Sequence, residues 1–111
     1  GSLYHTSYAG VTLGLIHGSQ PDALVICHDA ARKTARGLGD KPLPSFQEVI
    51  DAGLWAARNV NPDVKVVGIS INTKSLDDAA AEKLLKETED SMGLPTVDAV
   101  RTGVAKIVDN L

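Results

Sequence analysis

The chain has one cysteine, no excess of basic residues and no apolar run long enough to cross a bilayer. A single thiol, Cys27, cannot close an internal disulfide, which fits a reducing, cytoplasmic setting. Eleven Lys and Arg stand against fourteen Asp and Glu, for a net charge of −3, and the cations are scattered rather than clustered. That balance argues against nucleic acid or an anionic membrane as a partner. No segment has the makeup of a signal peptide, and internal repeats, heptads and low-complexity tracts are missing too. The three histidines, His5, His17 and His28, lack any His-x-His or His-x-x-x-His spacing, so no metal is expected. What remains is an ordinary globular composition, 43% apolar and 23% charged over 111 residues, enough for one small domain spanning 1–111.

The organising stretch is Pro21 to Asp29. An unbroken apolar run, Ala23 to Cys27, stops at His28 and Asp29. A run this short, bounded by Pro and by charge, predicts a strand buried on both faces, with Cys27 as a small core residue. Before it, Thr6 or Ser7 can cap a helix running to about His17, which Gly18 ends. That helix is apolar on more than one side (Tyr8, Val11, Leu13, Leu15, Ile16), predicting burial, and Gly10 and Gly14 would admit a close backbone.

A long connection, Ala30 to Pro44, leads to Ser45-Phe46-Gln47-Glu48, a capping box that opens a helix to about Asn59. Trp55 lies off that helix's inward stripe, so it marks a contact with another part of the protein or another subunit. Val64 to Ile71 is a second strand ending at Asn72 and Thr73. Ser75 caps a third helix with Ala81, Leu84, Leu85, Thr88 and Met92 inward, closed by Gly93-Leu94-Pro95. Thr96-Val97 makes a short third strand. Asp98 is then the N-cap of a last helix with Val104, Ile107, Val108 and Leu111 inward. Strands alternating with helices demand right-handed crossovers and a parallel sheet. Two or three strands make a thin sheet, as expected of a piece of a longer protein or of a module whose partner supplies more strands.

In open α/β sheets, ligands sit beyond the carboxyl ends of the strands. His28 and Asp29 are therefore the candidates for substrate or proton handling, since an imidazole exchanges a proton near neutral pH. The plainer alternative is a capping Asp and a hydrogen-bonded His that fix a turn. Arg32 and Arg36, four apart, could fork onto a carboxylate or phosphate, or simply form a solvated basic loop. Asn72 and Thr73 end the second strand, where Asn is also a common turn residue.

Five strings in order carry a family resemblance: Gly1-Ser2-Leu3-Tyr4-His5, Gly10-Val11-Thr12-Leu13-Gly14-Leu15-Ile16-His17-Gly18, Pro21 through Ala30, Val67-Gly68-Ile69-Ser70-Ile71-Asn72-Thr73, and Gly93 through Arg101. Together they resemble the C-terminal domain of the domain of unknown function 1611 family, over essentially the whole chain. Thr6 stands where that family prefers Pro, and Ala31 where Gly is common.

The resemblance implies an α/β fold: a three-layer parallel sheet, P-loop and dethiobiotin-synthetase-like, here an incomplete C-terminal portion. It implies acetyl transfer from acetyl-CoA to the amine of D-glutamate, with ATP as a further nucleotide in the intact protein. Under it, His28 or Asp29 manages the amine proton, Arg32 holds a carboxylate or phosphate, and Asn72 with Thr73 faces a ligand. No Gly-x-x-x-x-Gly-Lys-Ser/Thr run occurs in the chain. In the family the phosphate loop lies upstream of the Gly-Ser-Leu string, so either Gly1-Ser2 is the tail of a Glu-Gly-Gln-Gly-Ser-like motif in a truncated protein, the favoured reading, or the phosphate site has been lost. The expected partners are a small-molecule substrate and either further copies of the chain or the missing N-terminal part. The rivals are an ATP-dependent ligase of dethiobiotin synthetase type and a non-catalytic module that completes a partner's sheet.

Overall fold

The structure, a computed structural model, describes residues 2–111. Gly1, the first residue of the expected Gly1-Ser2 tail of a phosphate loop, lies outside the described residues. The elements follow as α1 (Ala9–Ser19), β1 (Ala23–Asp29), α2 (Phe46–Arg58), β2 (Lys65–Asn72), α3 (Asp78–Met92), β3 (Thr96–Val97) and α4 (Ala105–Val108). The three strands form a parallel sheet in the order β1-β2-β3, with Ile69 opposite Thr96 and Ser70 opposite Val97. The chain divides into two compact units. One holds the residues up to Leu24 together with Thr34–Val66; the other holds Val25–Lys33 and Val67–Leu111.

In the first unit, the capping box forms. Ser45 Oγ accepts the Glu48 amide at 3.2 Å, and Glu48 Oε2 accepts the Ser45 amide at 2.7 Å. The stripe behind it buries Ile50, Gly53, Ala56 and Ala57, with Leu24 packed over Gly53, and leaves Trp55 exposed. The connection before α2 is organised as well. Thr34 bridges to Pro42, buried Ala35 donates its amide to the Lys41 carbonyl, and the chain reverses through Gly37 and Gly39 at φ 76° and 60°.

α1 departs from expectation at both ends and on its surface. Neither Thr6 nor Ser7 caps it, because residues 5–8 already turn, with the His5 carbonyl accepting the Tyr8 and Ala9 amides. It runs past Gly18 to Ser19 and closes at Gln20, which takes a left-handed φ of 49°. None of its residues is buried; Val11 is 63% and Leu15 68% exposed. A helix apolar on several sides can press only one of them against α2, and the others stay open. Among the described residues, nothing outside the local helix backbone and the adjacent residues comes within 4 Å of where a Cβ would sit at Gly10 or Gly14, so the close backbone contact is not made.

The second unit is built on β2, whose Val67, Ile69 and Ile71 are almost wholly buried. Ala81, Leu85 and Thr88 are the buried residues of α3. Asp77, rather than Ser75, is the N-cap of α3, its Oδ1 accepting the Ala80 amide at 2.8 Å. The Leu76 amide is already held by the Thr73 carbonyl, so the chain is still turning at Ser75. Gly93 closes α3 in the left-handed conformation, as the Gly-Leu-Pro signal predicts.

Two expectations fail here. The last helix does not start at Asp98: α4 is a single turn, only Ile107 is buried, and Val104, Val108 and Leu111 are exposed. Asp98 spends its side chain on a turn, and Gly103 at φ 72° separates that turn from α4. Second, β1 is not buried on both faces. Its alternate residues face opposite sides of the sheet, so Ile26 is buried while Val25 and Cys27 are exposed. Cys27 lies on the open face of β1 and is not a core residue. Among the described residues, no helix is long and apolar enough to cross a membrane.

Candidate functional site at the strand ends

His28 and Asp29 are the last two residues of β1, which runs two residues beyond the apolar run Ala23–Cys27. The Ala30 amide then donates to the Asn72 carbonyl at 3.0 Å, which ties the end of β1 to the end of β2. Asp29 folds the chain back on itself: Oδ1 accepts the Ala31 amide at 2.9 Å and its carbonyl accepts the Arg32 amide at 3.0 Å. Asn72 does the same for β2, its Oδ1 accepting the Lys74 amide at 3.1 Å. His28 is half-buried. That burial pushes its pKa below the ordinary 6.5, against the opposing pull of the Asp29 charge, so the imidazole is neutral at pH 7.

Thr73 is fully buried and presents no surface to a ligand. Its amide and its hydroxyl both donate to Asp98 Oδ2, at 2.9 and 2.5 Å. Asp98 Oδ1 accepts the Val100 and Arg101 amides at 2.9 and 3.2 Å. These bonds, the Thr73 hydroxyl foremost, hold the Asp98 carboxyl down to about 2. The Arg101 guanidinium pairs with Asp78 and also donates to the Leu76 and Thr73 carbonyls at 2.6 and 3.3 Å.

Of the residues singled out by sequence, His28, Asp29 and Asn72 come together at the carboxyl edge of the sheet, and Thr73 lies just behind them. Arg32 lies in the turn after Asp29, exposed, its guanidinium without a hydrogen bond or ion pair among the described residues. Residues 31–37 are not helical, so four-residue spacing does not set Arg32 and Arg36 on one face. His5 and His17 are occupied structurally. His5 Nδ1 accepts the Ser7 amide and Nε2 donates to the Arg36 carbonyl; His17 Nε2 lies 2.9 Å from the Ala56 carbonyl. Among the described residues no group of three or more His, Cys, Asp or Glu is placed to hold a metal. Asp98 and Arg101 are the members that local pattern misses: a carboxylate after a short strand looks like a helix cap until its partner 25 residues away is known.

Comparison with known proteins decides the family. The sequence profile of the DUF1611 C-terminal P-loop domain, described as a domain of unknown function, matches residues 1–108. The chain belongs to the DUF1611 family. A DUF1611 protein of known crystal structure, from Anabaena variabilis, is 38% identical with a TM-score of 0.82, over 89% of this chain and 29% of that one. The chain is similar to a D-glutamate N-acetyltransferase of Tritonibacter scottomollicae, 50% identical over all 111 residues, and to one of a Pseudoalteromonas species at 49%. It spans about a third of the length of these curated relatives (33% of each). The fold is thus α/β of the P-loop type, while the Gly-x-x-x-x-Gly-Lys-Ser/Thr residues that would cradle a nucleotide's phosphates are not among these 111.

Proposed function

We propose that the protein carrying this chain transfers an acetyl group from acetyl-CoA to the amine of an acidic amino acid such as D-glutamate. The observation that carries this reading is 50% identity, along the whole chain, to a relative bearing that name. The chemistry requires a neutral amine, whose lone pair attacks the thioester carbonyl as the carbon–sulfur bond breaks and coenzyme A departs as the thiolate. His28 is suited to take the amine proton, because burial keeps its imidazole neutral near pH 7. Asp29, beside it, holds the turn and supplies the negative charge that favours the imidazolium once formed. Arg32 fits a carboxylate of the amino acid or a phosphate of coenzyme A, since its guanidinium has no competing partner among the described residues. Asn72 is exposed at the same edge, with its Oδ1 on Lys74 and its amide N–H groups available to a substrate oxygen.

Membership of a P-loop family favours one second reading, an ATP-dependent ligase of the dethiobiotin synthetase type. Mass spectrometry of the purified protein, given D-glutamate and acetyl-CoA with and without ATP, separates the two. N-acetylglutamate formed without ATP is the expected result. ADP formed with some other acid would replace it with the ligase, and turnover of neither kind would leave a sheet-completing module.

A further inference from the structure

Asp98 follows β3 directly, is only 4% exposed, and has four donors on its two oxygens: the Thr73 amide and hydroxyl, and the Val100 and Arg101 amides. A buried carboxylate so fully satisfied is a fixed strut. It has neither a surface for substrate nor a spare lone pair for proton exchange. Its grip falls on Thr73, the residue after β2. From the other side, Arg101 takes the Thr73 and Leu76 carbonyls and is itself anchored on Asp78. The turn at 73–76 is therefore held from within by a carboxylate and from without by a guanidinium.

Where that turn begins matters for the site. Thr73 is preceded by Asn72, whose carbonyl accepts the Ala30 amide, and Ala30 follows Asp29. The path from the end of β3 to the end of β1 is thus Asp98, Thr73, Asn72, Ala30, Asp29. Every link is a hydrogen bond or a peptide bond.

We propose that Asp98, acting through Thr73, and Arg101, acting through the Thr73 and Leu76 carbonyls, are positioning residues that set Asn72 and the His28-Asp29 strand end for the reaction. The kinetic part rests on the acetyl-transfer reading; the structural part does not. Displacement of reacting groups by about 1 Å lowers turnover by roughly 100-fold. Thr73→Val keeps the side chain's shape and removes the hydroxyl. In the full-length protein it lowers kcat by roughly 10- to 100-fold while the KM for acetyl-CoA moves by less than about 3-fold. Thr73→Ser, which restores the donor, recovers most of kcat, and Arg101→Gln gives an intermediate loss.

A folded Thr73→Val protein with kcat within about 2-fold of wild type would overturn the kinetic assignment, as would equal losses in Thr73→Ser and Thr73→Val. Amide hydrogen exchange supplies a readout independent of activity. In Thr73→Val and Arg101→Gln the Ala30 amide exchanges at least about 10-fold faster, while the Leu85 amide in α3 is unchanged. Unchanged exchange at Ala30 would overturn the coupling. If the wild-type protein forms no N-acetylglutamate, the acetyl-transfer reading falls, and exchange at Ala30 still decides whether Asp98 and Arg101 hold the strand ends.

Discussion

Gly68 sits in the middle of β2 where almost any side chain would collide. A Cβ at that position would lie 2.6 Å from Ile107 Cγ1, 2.9 Å from Ile107 Cδ1 and 2.9 Å from the Pro95 carbonyl oxygen. Carbon atoms pack at roughly 3.5–4.0 Å, so all three contacts must open in Gly68→Ala. Ile107 sits on a single helical turn and can shift. The Pro95 oxygen is less free, because it accepts the Ile69 amide at 2.8 Å and so joins β3 to β2. Overpacking of this kind costs about 1–3 kcal/mol, and the backbone contact places Gly68→Ala in the upper half of that range. With a urea slope of about 2 kcal/mol per M, the denaturation midpoint falls by about 1 M at unchanged slope, measured by far-ultraviolet circular dichroism. Ile107→Ala alone loses about 2–5 kcal/mol through the cavity it leaves. Combined with Gly68→Ala it loses less than the sum, by about 0.5–3 kcal/mol, because two of the three clashes vanish. A Gly68→Ala protein within about 0.5 kcal/mol of wild type, or a strictly additive double variant, would refute this packing argument.

Other perturbations follow from the same structure. Asp98 titrates at about 2 rather than 3.8. Its folded pKa is the lower one, so its contribution is full above pH 4 and is lost as pH falls from about 4 through about 2. That contribution is about 2 kcal/mol, and a urea midpoint followed against pH should decline over this window in wild type and much less in Asp98→Asn. Ser45→Ala removes the α2 cap and lowers stability by about 1 kcal/mol in the same denaturation assay. Cys27→Ser changes stability by less than about 0.5 kcal/mol, since the thiol is exposed, and native Cys27 reacts fully with iodoacetamide. If His28 is the base of the proposed acetyl transfer, the rate falls on the acid side with a midpoint below the ordinary imidazole value, because burial lowers the His28 pKa and protonation removes the base.

Features set by neighbours in the chain were legible from sequence. The Ser45–Glu48 box, the Gly93 closure of α3 and the apolar runs of β1 and β2 each depend on residues within a few positions of one another. Features set by distant partners were not. Whether an apolar run is buried depends on what covers it, so β1 and α1 look alike as sequence whether a neighbour is present or not. Ser75 and Asp77 are both acceptable caps for α3, and the Thr73–Leu76 turn decides between them. Asp98 carries the signature of a helix cap. Its Thr73 partner, 25 residues back, makes it a strut between two strand ends instead. The strand-end location of His28, Asp29 and Asn72 follows from the parallel α/β pattern. The hydrogen bond that joins them, Ala30 to Asn72, is a backbone contact no side-chain motif encodes.

The most direct test of the proposed acetyl transfer at the strand ends is the turnover of His28→Ala in the full-length protein with D-glutamate and acetyl-CoA. Loss of a general base lowers kcat by roughly 100-fold or more while the circular dichroism spectrum is retained, and this is the predicted result. A folded His28→Ala protein that forms N-acetylglutamate at the wild-type rate would contradict it and remove the end of β1 from the chemistry.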